Sequence, residues 1–324
     1  MEIAIDYLKL MNINPYGVCI VDDTLNPNDS TSFYSISLEE LKIFKKLKYA
    51  ILFSCNKKHY ECASKYLLGF ETVFPMDSVV LYDKGETLKA VSQKTELKRI
   101  RQVYENLSDD ESKNLFLSVI YRRIVGGEYF PQSSYEQYLH PKICYPKQMI
   151  MIDGGAYDGD TAEQFATYCQ TIYSFEPSTA VYESLVQNIK KNCLEYKVKP
   201  SKVGLWSENG EADFSTIIDQ GLHLIIDDGN ETIPVTSIDS FVESSGITKV
   251  DFIKLDIEGA EYNAILGGRK TILNHSPILS ICLYHQSKHL WEIPEYIHTL
   301  NPSYKLFIGH HSNQPYETIM YATV

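Results

Sequence analysis

The sequence has few of the features that mark nucleic-acid-binding, membrane or secreted proteins. Lysine and arginine together number 30 against 42 aspartates and glutamates, and the formal net charge is −12. Because neutralisation of phosphates supplies much of the affinity for nucleic acid, this balance argues against a nucleic-acid partner and against adhesion to an anionic membrane. No apolar run approaches the length of a membrane span, and the first residues lack the pattern of a signal peptide. We therefore expect a cytoplasmic protein.

Cysteine is also used sparsely. The seven cysteines are scattered along the chain, their number is odd, and no C-x-x-C spacing occurs. A framework of disulfides needs paired cysteines, and a structural zinc site needs closely spaced ones. The cysteines are therefore expected to be buried thiols in a reducing compartment.

The chain divides into three zones by pattern. Residues 1–84 alternate between predicted strands, at 17–23 and 49–55, and predicted helices, at 37–47 and 59–69. No glycine-rich turn follows either strand, so this zone is predicted to be a small Rossmann-like α/β domain that lacks a phosphate loop. Residues 85–147 are charged, poor in glycine and amphipathic, which predicts a helical connector.

From residue 148 to 324 the α/β alternation returns with stronger signals. Predicted strands at 149–155, 171–177, near 202–206, at 251–256 and at 277–285 are followed by residues 304–311 and 317–323, which are predicted to form the last two strands. Helical patterns separate the earlier strands. Segments 212–219, 223–228 and 231–239 are predicted to be antiparallel excursions. The fold class is therefore α/β, a doubly wound sheet of seven strands with an antiparallel last strand.

The stretch MIDGGAYDGDT, at 151–161, joins the first strand of this domain to a helix. In open parallel sheets the ligand lies beyond the carboxyl ends of the strands, where this glycine loop must lie. Glu176 ends the second strand 21 residues after Gly155, a spacing that suits a carboxylate accepting both hydroxyls of a ribose. These features are shared by dinucleotide enzymes and methyltransferases.

The charge of the loop separates these two classes. Asp153, Asp158 and Asp160 lie within eight positions, and carboxylates there would oppose the pyrophosphate of NAD or FAD. S-adenosylmethionine carries no phosphate but has an ammonium and a cationic sulfonium, so an acidic loop suits it. The alternative is a plain glycine turn that feeds a helix, with Asp158 and Asp160 placed favourably at its N-terminus.

A second dense motif is KLDIEGAEYNAILGG, at 254–268. Strand alternation places Lys254 and Asp256 on one face, and Glu258 follows just past the strand end. All three are expected to approach the ligand crevice, where clustering two carboxylates and a lysine is unfavourable unless they have a function. Glu261 falls in the first turn of the next helix, so a helix-capping role is favoured for it over catalysis.

IDGGAYDGDT, YSFEPS and FIKLDIEGAE, in this order and spacing, resemble the FkbM family of S-adenosylmethionine-dependent methyltransferases over about residues 148–324. The resemblance implies a class I methyltransferase fold and hydroxyl acceptors on sugars or natural products. It also implies that Asp153, Gly155, Ala156 and Gly159 hold the methionine portion and Glu176 the ribose. The whole candidate cofactor-binding set is Asp153, Gly154, Gly155, Ala156, Tyr157, Asp158, Gly159, Thr161, Glu176 and Pro177.

Methylation of a hydroxyl requires a base as well as alignment. The candidate catalytic residues are Asp256, Glu258, His285 and Lys254, of which His285 ends the strand at 277–285. An equal alternative for His285 is a purely structural role, in which its ring nitrogens have hydrogen-bond partners at the strand end. His310 and His311 end the next strand and are weaker candidates. A two-histidine face of His285 and His289 is disfavoured, since it would require one helix to cover both.

Asp256, Glu258 and His285 are also candidate ligands of a divalent ion, magnesium or manganese, although no metal-binding spacing motif supports one. The expected partner is a small carbohydrate-type acceptor: a sugar, a nucleotide sugar or a related polar metabolite. Two alternatives stay open, an NAD-dependent oxidoreductase and a non-catalytic S-adenosylmethionine-binding or scaffold protein. The sequence leaves open the identity of the acceptor and the oligomeric state, a homo-oligomer included.

Overall fold

The computed structural model describes residues 18–19, 35–36, 49–53, 72–76, 86–87, 89–125, 130–217, 222–225 and 231–324. The chain divides into two compact units. One comprises Met1–Gln93 with Ile120–Gly127, and the other comprises Lys94–Val119 with Glu128–Val324. Each unit is described below by itself.

The first unit contains two short parallel strand pairs. β1 (Val18–Cys19) pairs with β2 (Ser35–Ile36), and β3 (Tyr49–Phe53) pairs with β4 (Thr72–Met76). β1 and β3 fall where the sequence pattern predicts strands. The helices predicted at 37–47 and 59–69 lie outside the described residues, so the Rossmann-like domain over 1–84 and its boundary with the connector stay predictions.

The second unit is built on a seven-stranded sheet. Its strands in chain order are β5 (Met149–Gly154), β6 (Cys169–Phe175), β7 (Val198–Ser201), and, after four strands of a smaller sheet, β12 (Phe252–Leu255), β13 (Ile278–Cys282), β14 (Lys305–His310) and β15 (Thr318–Thr323). Their spatial order is β14-β15-β13-β12-β5-β6-β7. β15 runs antiparallel to both β13 and β14, while the strands from β13 to β7 pair in parallel. The predicted fold class is thus confirmed, and the antiparallel strand lies one position in from the edge.

The smaller sheet occupies the connection between β7 and β12. It contains β8 (Gly204–Leu205), β9 (Gly210–Ile217), β10 (Leu222–Ile225) and β11 (Glu231–Thr236). β9 pairs antiparallel with both β10 and β11, and β11 pairs in parallel with β8. The antiparallel excursions predicted here are confirmed.

Eight helices have both of their ends within the described residues. They are α1 (Lys94–Asn106), α2 (Asp110–Val125), α3 (Asp160–Phe165), α4 (Thr179–Lys191), α5 (Ile238–Ser244), α6 (Glu261–Gly267), α7 (Arg269–His275) and α8 (His289–Leu300). α8 was missed by the sequence prediction, which placed only strands after residue 277. Its pattern is nevertheless helical, because Leu290, Ile293, Pro294 and Ile297 form one buried face.

The core lies on both faces of the large sheet. Every residue of β12 and β13 is buried, as expected for central parallel strands covered by helices on both sides. On α4, Leu185 and Ile189 are buried at a spacing of four. Each such side chain contributes about 1.5–3 kcal/mol by leaving water. Lys254 is the exception in this apolar strand, since it is a charged residue only 1% exposed.

Candidate active site

The strand register brings the two sequence motifs to one edge of the sheet. Gly154 at the end of β5 pairs with Leu255 at the end of β12 and with Phe175 at the end of β6. The backbone N–H of Asp256 donates to the Gly154 carbonyl oxygen at 3.1 Å. The loops after β5, β6 and β12 therefore share the edge at which open parallel sheets bind ligands.

The glycine loop after β5 is shaped by its glycines. Gly155 and Gly159 have φ angles of 72° and 97°, in the left-handed region. A Cβ atom on Gly155 would lie 1.7 Å from the carbonyl oxygen of Asp256. The N–H groups of Gly155 and Ala156 both donate to the Phe175 carbonyl oxygen at 3.0 Å. The loop is therefore packed against β6 and β12 so closely that only glycine fits at position 155.

Glu176 lies directly beside this loop. One of its carboxylate oxygens accepts from the Ser178 N–H at 2.9 Å and the other from the Tyr157 N–H at 3.2 Å. Burial raises the pKa of Glu176 to about 7, although both backbone hydrogen bonds oppose that rise. Each oxygen keeps a second lone pair, so the carboxylate can accept further hydrogen bonds from a ligand.

Asp153 and Lys254 form a buried ion pair beneath the loop. Lys254 Nζ lies 3.2 Å from Asp153 Oδ1 and donates to the carbonyl oxygens of Gly154 at 3.2 Å and Gly155 at 2.7 Å. Burial would lower the pKa of Lys254, but the Asp153 and Asp256 carboxylates outweigh it and hold that pKa above its ordinary value. The amine therefore stays charged, and it faces the loop rather than the open crevice predicted for it.

Because of this ion pair, Asp153 contributes less negative charge to the loop than the sequence suggests. The Asp153 carboxylate is completely buried and has Lys254 as its partner, so it adds little net charge to the loop. Asp160 is exposed and accepts from the Thr161 N–H at 2.6 Å, at the start of α3. Asp158 and Asp160 are therefore the aspartates of this loop that would oppose a phosphate.

The remaining residues of the predicted cofactor set lie along the same loop and the turn after β6. Tyr157 is 56% exposed, Ala156 is completely buried, and Thr161 is buried in the first turn of α3. Pro177 separates Glu176 from Ser178 and is half-buried. The structure thus brings the whole set together, and the role of each member stays a prediction.

Asp256 is held in place by two tyrosines. The Tyr138 hydroxyl donates to Oδ2 at 2.8 Å and the Tyr284 hydroxyl donates to Oδ1 at 3.0 Å. Burial is the main cause that raises the pKa of both tyrosines well above the ordinary value, so both stay protonated and donate. The Asp256 side chain is nevertheless 22% exposed, and it faces the crevice as predicted.

His285 lies between three carboxylates. Its Nδ1 lies 2.8 Å from Glu261 Oε1, and its Nε2 lies 3.2 Å from Glu258 Oε2 and 3.5 Å from Asp256 Oδ1. Neither of the Nε2 contacts has hydrogen-bond alignment. Burial would lower the pKa of His285, but Glu261, Glu258 and Asp256 together raise it well above 6.5. The imidazole is therefore held as a cation inside an acidic cluster.

Glu261 has a different position from the helix cap that the sequence favoured. It is completely buried, and its Oε1 accepts from the N–H groups of Ile257 at 2.9 Å and Gly259 at 3.3 Å, in the turn before α6. Its Oε2 lies 3.2 Å from His289 Nδ1. Although no helix covers both histidines, since α8 begins at His289, both rings meet at Glu261. The expectation that only a shared helix could bring His285 and His289 together was therefore wrong.

Oxygen and nitrogen atoms able to bind a divalent ion are also grouped here. One ligand atom each from Asp256, Glu261 and His285 lies within 4.8 Å of the others. Carboxylate oxygens of this kind suit magnesium or manganese, whereas the His285 imidazole would bind an ion only after losing its proton. Glu258, a ligand in the sequence-based hypothesis, is not in this group, and metal binding stays a hypothesis.

Three site residues were missed by the sequence reasoning. Gln137 and Tyr138 precede β5, in the zone assigned to the connector, and Gln137 donates to Glu317. Glu317 comes just before β15, whose first residues pair with the last residues of β13. Because β15 is antiparallel, its beginning lies at the edge where the parallel strands end, a signal that could have been read from the predicted topology.

His310 and His311, in contrast, contact side chains of β15, the strand that pairs with β14. His310 Nδ1 lies 2.8 Å from Thr318 Oγ1, and His311 Nε2 lies 2.8 Å from the Tyr321 hydroxyl. Burial lowers the pKa of His311 to about 4. Both histidines therefore have structural partners in or beside β15.

Comparisons with known proteins agree with this architecture. Residues 153–306 match the family model described as "Methyltransferase FkbM domain". A hexuronic acid methyltransferase, AglP, of Haloferax volcanii is 31% identical over 114 residues, which are 34% of this chain and 47% of that protein. The chain thus spans about half the length of this curated relative.

A solved structure is similar over most of the chain. The crystal structure of methyltransferase FkbM from Methylobacillus flagellatus KT superposes with a TM-score of 0.66 at 16% sequence identity, covering 90% of this chain and 78% of that one. At this identity the likeness concerns the fold. Within the described residues, no helix has the length and apolar character of a membrane span.

Proposed function

We propose that the protein O-methylates a carbohydrate-type acceptor, a proposal supported by the match of residues 153–306 to the methyltransferase FkbM domain. The methyl donor is S-adenosylmethionine, and the acceptor is a hydroxyl of a sugar, a nucleotide sugar or a related small polar metabolite. The name of the Haloferax relative, a hexuronic acid methyltransferase, supports a sugar acceptor.

The loop after β5 and the end of β6 fit the donor. S-adenosylmethionine supplies a methyl group activated by a cationic sulfonium. Gly155, which has no room for a Cβ atom, lets the loop lie directly against the end of β12, and Glu176 accepts hydrogen bonds from the ribose hydroxyls. Asp158 and Asp160 favour the positive charges of the donor. Lys254 and Asp153 hold the loop from beneath.

The end of β12 and the loop after β13 provide the acceptor side. Both oxygens of Asp256 already accept from tyrosine hydroxyls, so Asp256 orients the acceptor. Glu258 has a side chain 28% exposed, so its carboxylate can reach the acceptor hydroxyl and receive its proton. Glu258 also has a φ of 54°, and strained backbone of this kind clusters at functional sites.

The observation that carries the proposal is the contact between the two motifs. The Asp256 N–H bonds to Gly154, and the Asp256 carbonyl oxygen packs on Gly155. A donor on the glycine loop and an acceptor on the carboxylates would therefore be neighbours, as in-line methyl transfer requires. A scaffold protein would not need this cluster of ionisable groups, and Asp158 and Asp160 beside the loop would oppose the pyrophosphate of an oxidoreductase's cofactor.

The direct test uses S-adenosylmethionine with an isotopically labelled methyl group. We expect label to appear on sugars or nucleotide sugars after incubation with the protein, detected by mass spectrometry. S-adenosylhomocysteine should bind in an equilibrium titration, and NADH should show no fluorescence enhancement. A protein that binds NADH but not S-adenosylhomocysteine would favour the oxidoreductase, and one that binds S-adenosylhomocysteine without any transfer would favour the scaffold.

Substitutions on the acceptor side should separate turnover from donor binding. Asp256→Asn, Glu258→Gln and His285→Ala are each expected to lower kcat by about 100-fold or more, the usual effect of removing a group that moves or positions a proton. Titrated S-adenosylhomocysteine should bind each variant within a few-fold of wild type. Glu183→Gln, on the exposed side of α4, is the matched control and should retain activity. Wild-type rates in all three variants would contradict the assigned roles.

Donor binding should depend on pH through Glu176. Its pKa is raised to about 7 in the folded protein, so below pH 7 it becomes the neutral acid, which accepts hydrogen bonds from ribose less well. We expect the Kd of S-adenosylhomocysteine to be about tenfold weaker at pH 6 than at pH 8. Glu176→Gln should bind weakly at both pH values and lose this dependence. An unchanged pH dependence in the variant would show that another group is responsible.

A further inference from the structure

The groups that face the acceptor side of the site carry unbalanced negative charge. Asp256 and Glu258 have side chains 22% and 28% exposed, and Glu317 is also partly exposed. Within the described residues, the cationic partners of these carboxylates are Lys254 and His285, whose side chains are 2% and 6% exposed. The cations are therefore enclosed, while the carboxylates meet solvent.

The enclosed cations also have other partners. Lys254 forms its ion pair with Asp153, and His285 contacts Glu261, which has no exposed surface. Counting each pair as neutral leaves Asp256, Glu258 and Glu317 without an equal positive charge. The electrostatic effect is visible at Glu317, where burial and then the Asp256 carboxylate raise the pKa of the side chain.

The three carboxylates belong to one region. His285 Nε2 lies 3.5 Å from Asp256 Oδ1 and 3.2 Å from Glu258 Oε2. The Tyr284 hydroxyl bonds to Asp256, and the Tyr284 ring lies 6.2 Å from the ring of Tyr316, the residue before Glu317. The Leu283 N–H donates to the Thr318 carbonyl oxygen at 2.8 Å, which ties the start of β15 to the loop after β13. An acceptor beside Glu258 therefore lies near all three carboxylates.

The chain that connects β7 to β12 adds charge of the same sign. Residues 203–248 contain nine aspartates and glutamates and no lysine or arginine. This segment begins at the site, because Leu205 of β8 packs on Gly154 of the donor loop. The two lysines at the ends of this connection are Lys202, which is exposed just after β7, and Lys249, which pairs with Asp251; the connection as a whole is therefore strongly acidic.

We propose that the acceptor carries no negative charge where it meets Asp256, Glu258 and Glu317, and that an amino sugar is preferred over a neutral sugar and over a uronic acid. The preference follows because like charges juxtaposed in an interface are strongly unfavourable, whereas a protonated amine would pair with Asp256, Glu258 or Glu317. This inference rests on the proposed function, and it separates the chain from the hexuronic acid specificity named for its Haloferax relative.

The test compares three pools of methyl glycosides matched in stereochemistry: hexosamines, hexoses and hexuronic acids. With labelled S-adenosylmethionine, we expect at least tenfold more label in the hexosamine pool than in the hexuronic acid pool, and an intermediate amount in the hexoses. Most label in hexuronic acids would overturn the inference and leave the methyltransferase activity intact. No label in any pool, with S-adenosylhomocysteine still bound, would contradict the sugar acceptor itself.

Two further arms identify the cause of the preference. Glu317→Gln should raise KM for the preferred hexosamine at least threefold and reduce the preference over hexoses, with a smaller change in kcat; an unchanged KM and preference would remove Glu317 from the acceptor site. Each pool is also assayed with EDTA and with Mg²⁺. If Mg²⁺ makes hexuronic acids the preferred acceptors, a bound cation neutralises the carboxylates and the inference is wrong.

Discussion

Gly155→Ala is expected to abolish measurable binding of S-adenosylhomocysteine, with Kd raised at least about 100-fold. The new methyl group would lie 1.7 Å from the carbonyl oxygen of Asp256, a backbone atom that cannot rotate away, and the φ of 72° is unfavourable for alanine. The strained backbone alone costs of order 1–3 kcal/mol. To relieve the overlap, the donor loop must move away from the end of β12, which separates the two halves of the site.

The matched control is Gly210→Ala. A Cβ atom at Gly210, at the start of β9, would have no other atom within 4 Å, so this variant should bind S-adenosylhomocysteine as wild type does. Binding is measured by calorimetry and folding by circular dichroism, so that a loss of binding can be separated from a loss of structure. A folded Gly155→Ala protein with affinity within threefold of wild type would contradict the close loop packing on which the site depends.

The sequence predicted the fold because each element carries its own local pattern. Apolar runs of β5 and β12 end in glycine or carboxylate residues, and this pattern indicates both a parallel strand and the edge at which a ligand binds. α8 was missed because it follows β13 within a few residues, and the adjacent strand signals concealed its helical face. Pro294 inside this helix also argues against a helix from sequence alone.

The candidate site was predicted only where its residues follow directly from strand ends. Asp256, Glu258 and Glu176 are of this kind, since alternation along a strand gives their direction. Tyr138 reaches the site because of the path that the segment before β5 takes in the folded protein. Glu317 reaches it because β15 runs antiparallel to its neighbours. The two histidines meet at Glu261 because α6 is packed against the loop after β13, and no sequence spacing encodes that contact.

The role of Lys254 likewise depends on a contact that the sequence does not reveal. Its position on the strand was predicted, but the partner that decides its role lies on β5, where Asp153 is directly opposite in the register. A lysine that is 1% exposed cannot meet an acceptor, yet it bonds to two carbonyl oxygens of the donor loop. The ion pair therefore links the stability of the central strands to the shape of the donor site.

Lys254→Met is accordingly expected to lower the free energy of unfolding by about 3–5 kcal/mol at neutral pH, because it leaves the Asp153 carboxylate buried without a cation. Asp153→Asn together with Lys254→Met removes both charges. The double variant should be more stable than the sum of the two single effects predicts, by more than about 1 kcal/mol. Lys191→Met, an exposed lysine on α4, is the control and should change stability little.

The pH dependence of the Lys254→Met effect follows from Asp153. Burial raises the pKa of Asp153, and removing Lys254 removes the main cause that opposes this rise. A carboxyl group with a raised pKa in the folded state stabilises the protein at low pH, and this contribution is lost as the pH rises through that pKa. Relative to wild type, the variant should therefore be less destabilised at pH 5 than at pH 8 in urea titrations. An equal deficit at both pH values would show that lost packing, rather than the uncompensated Asp153 charge, destabilises the variant.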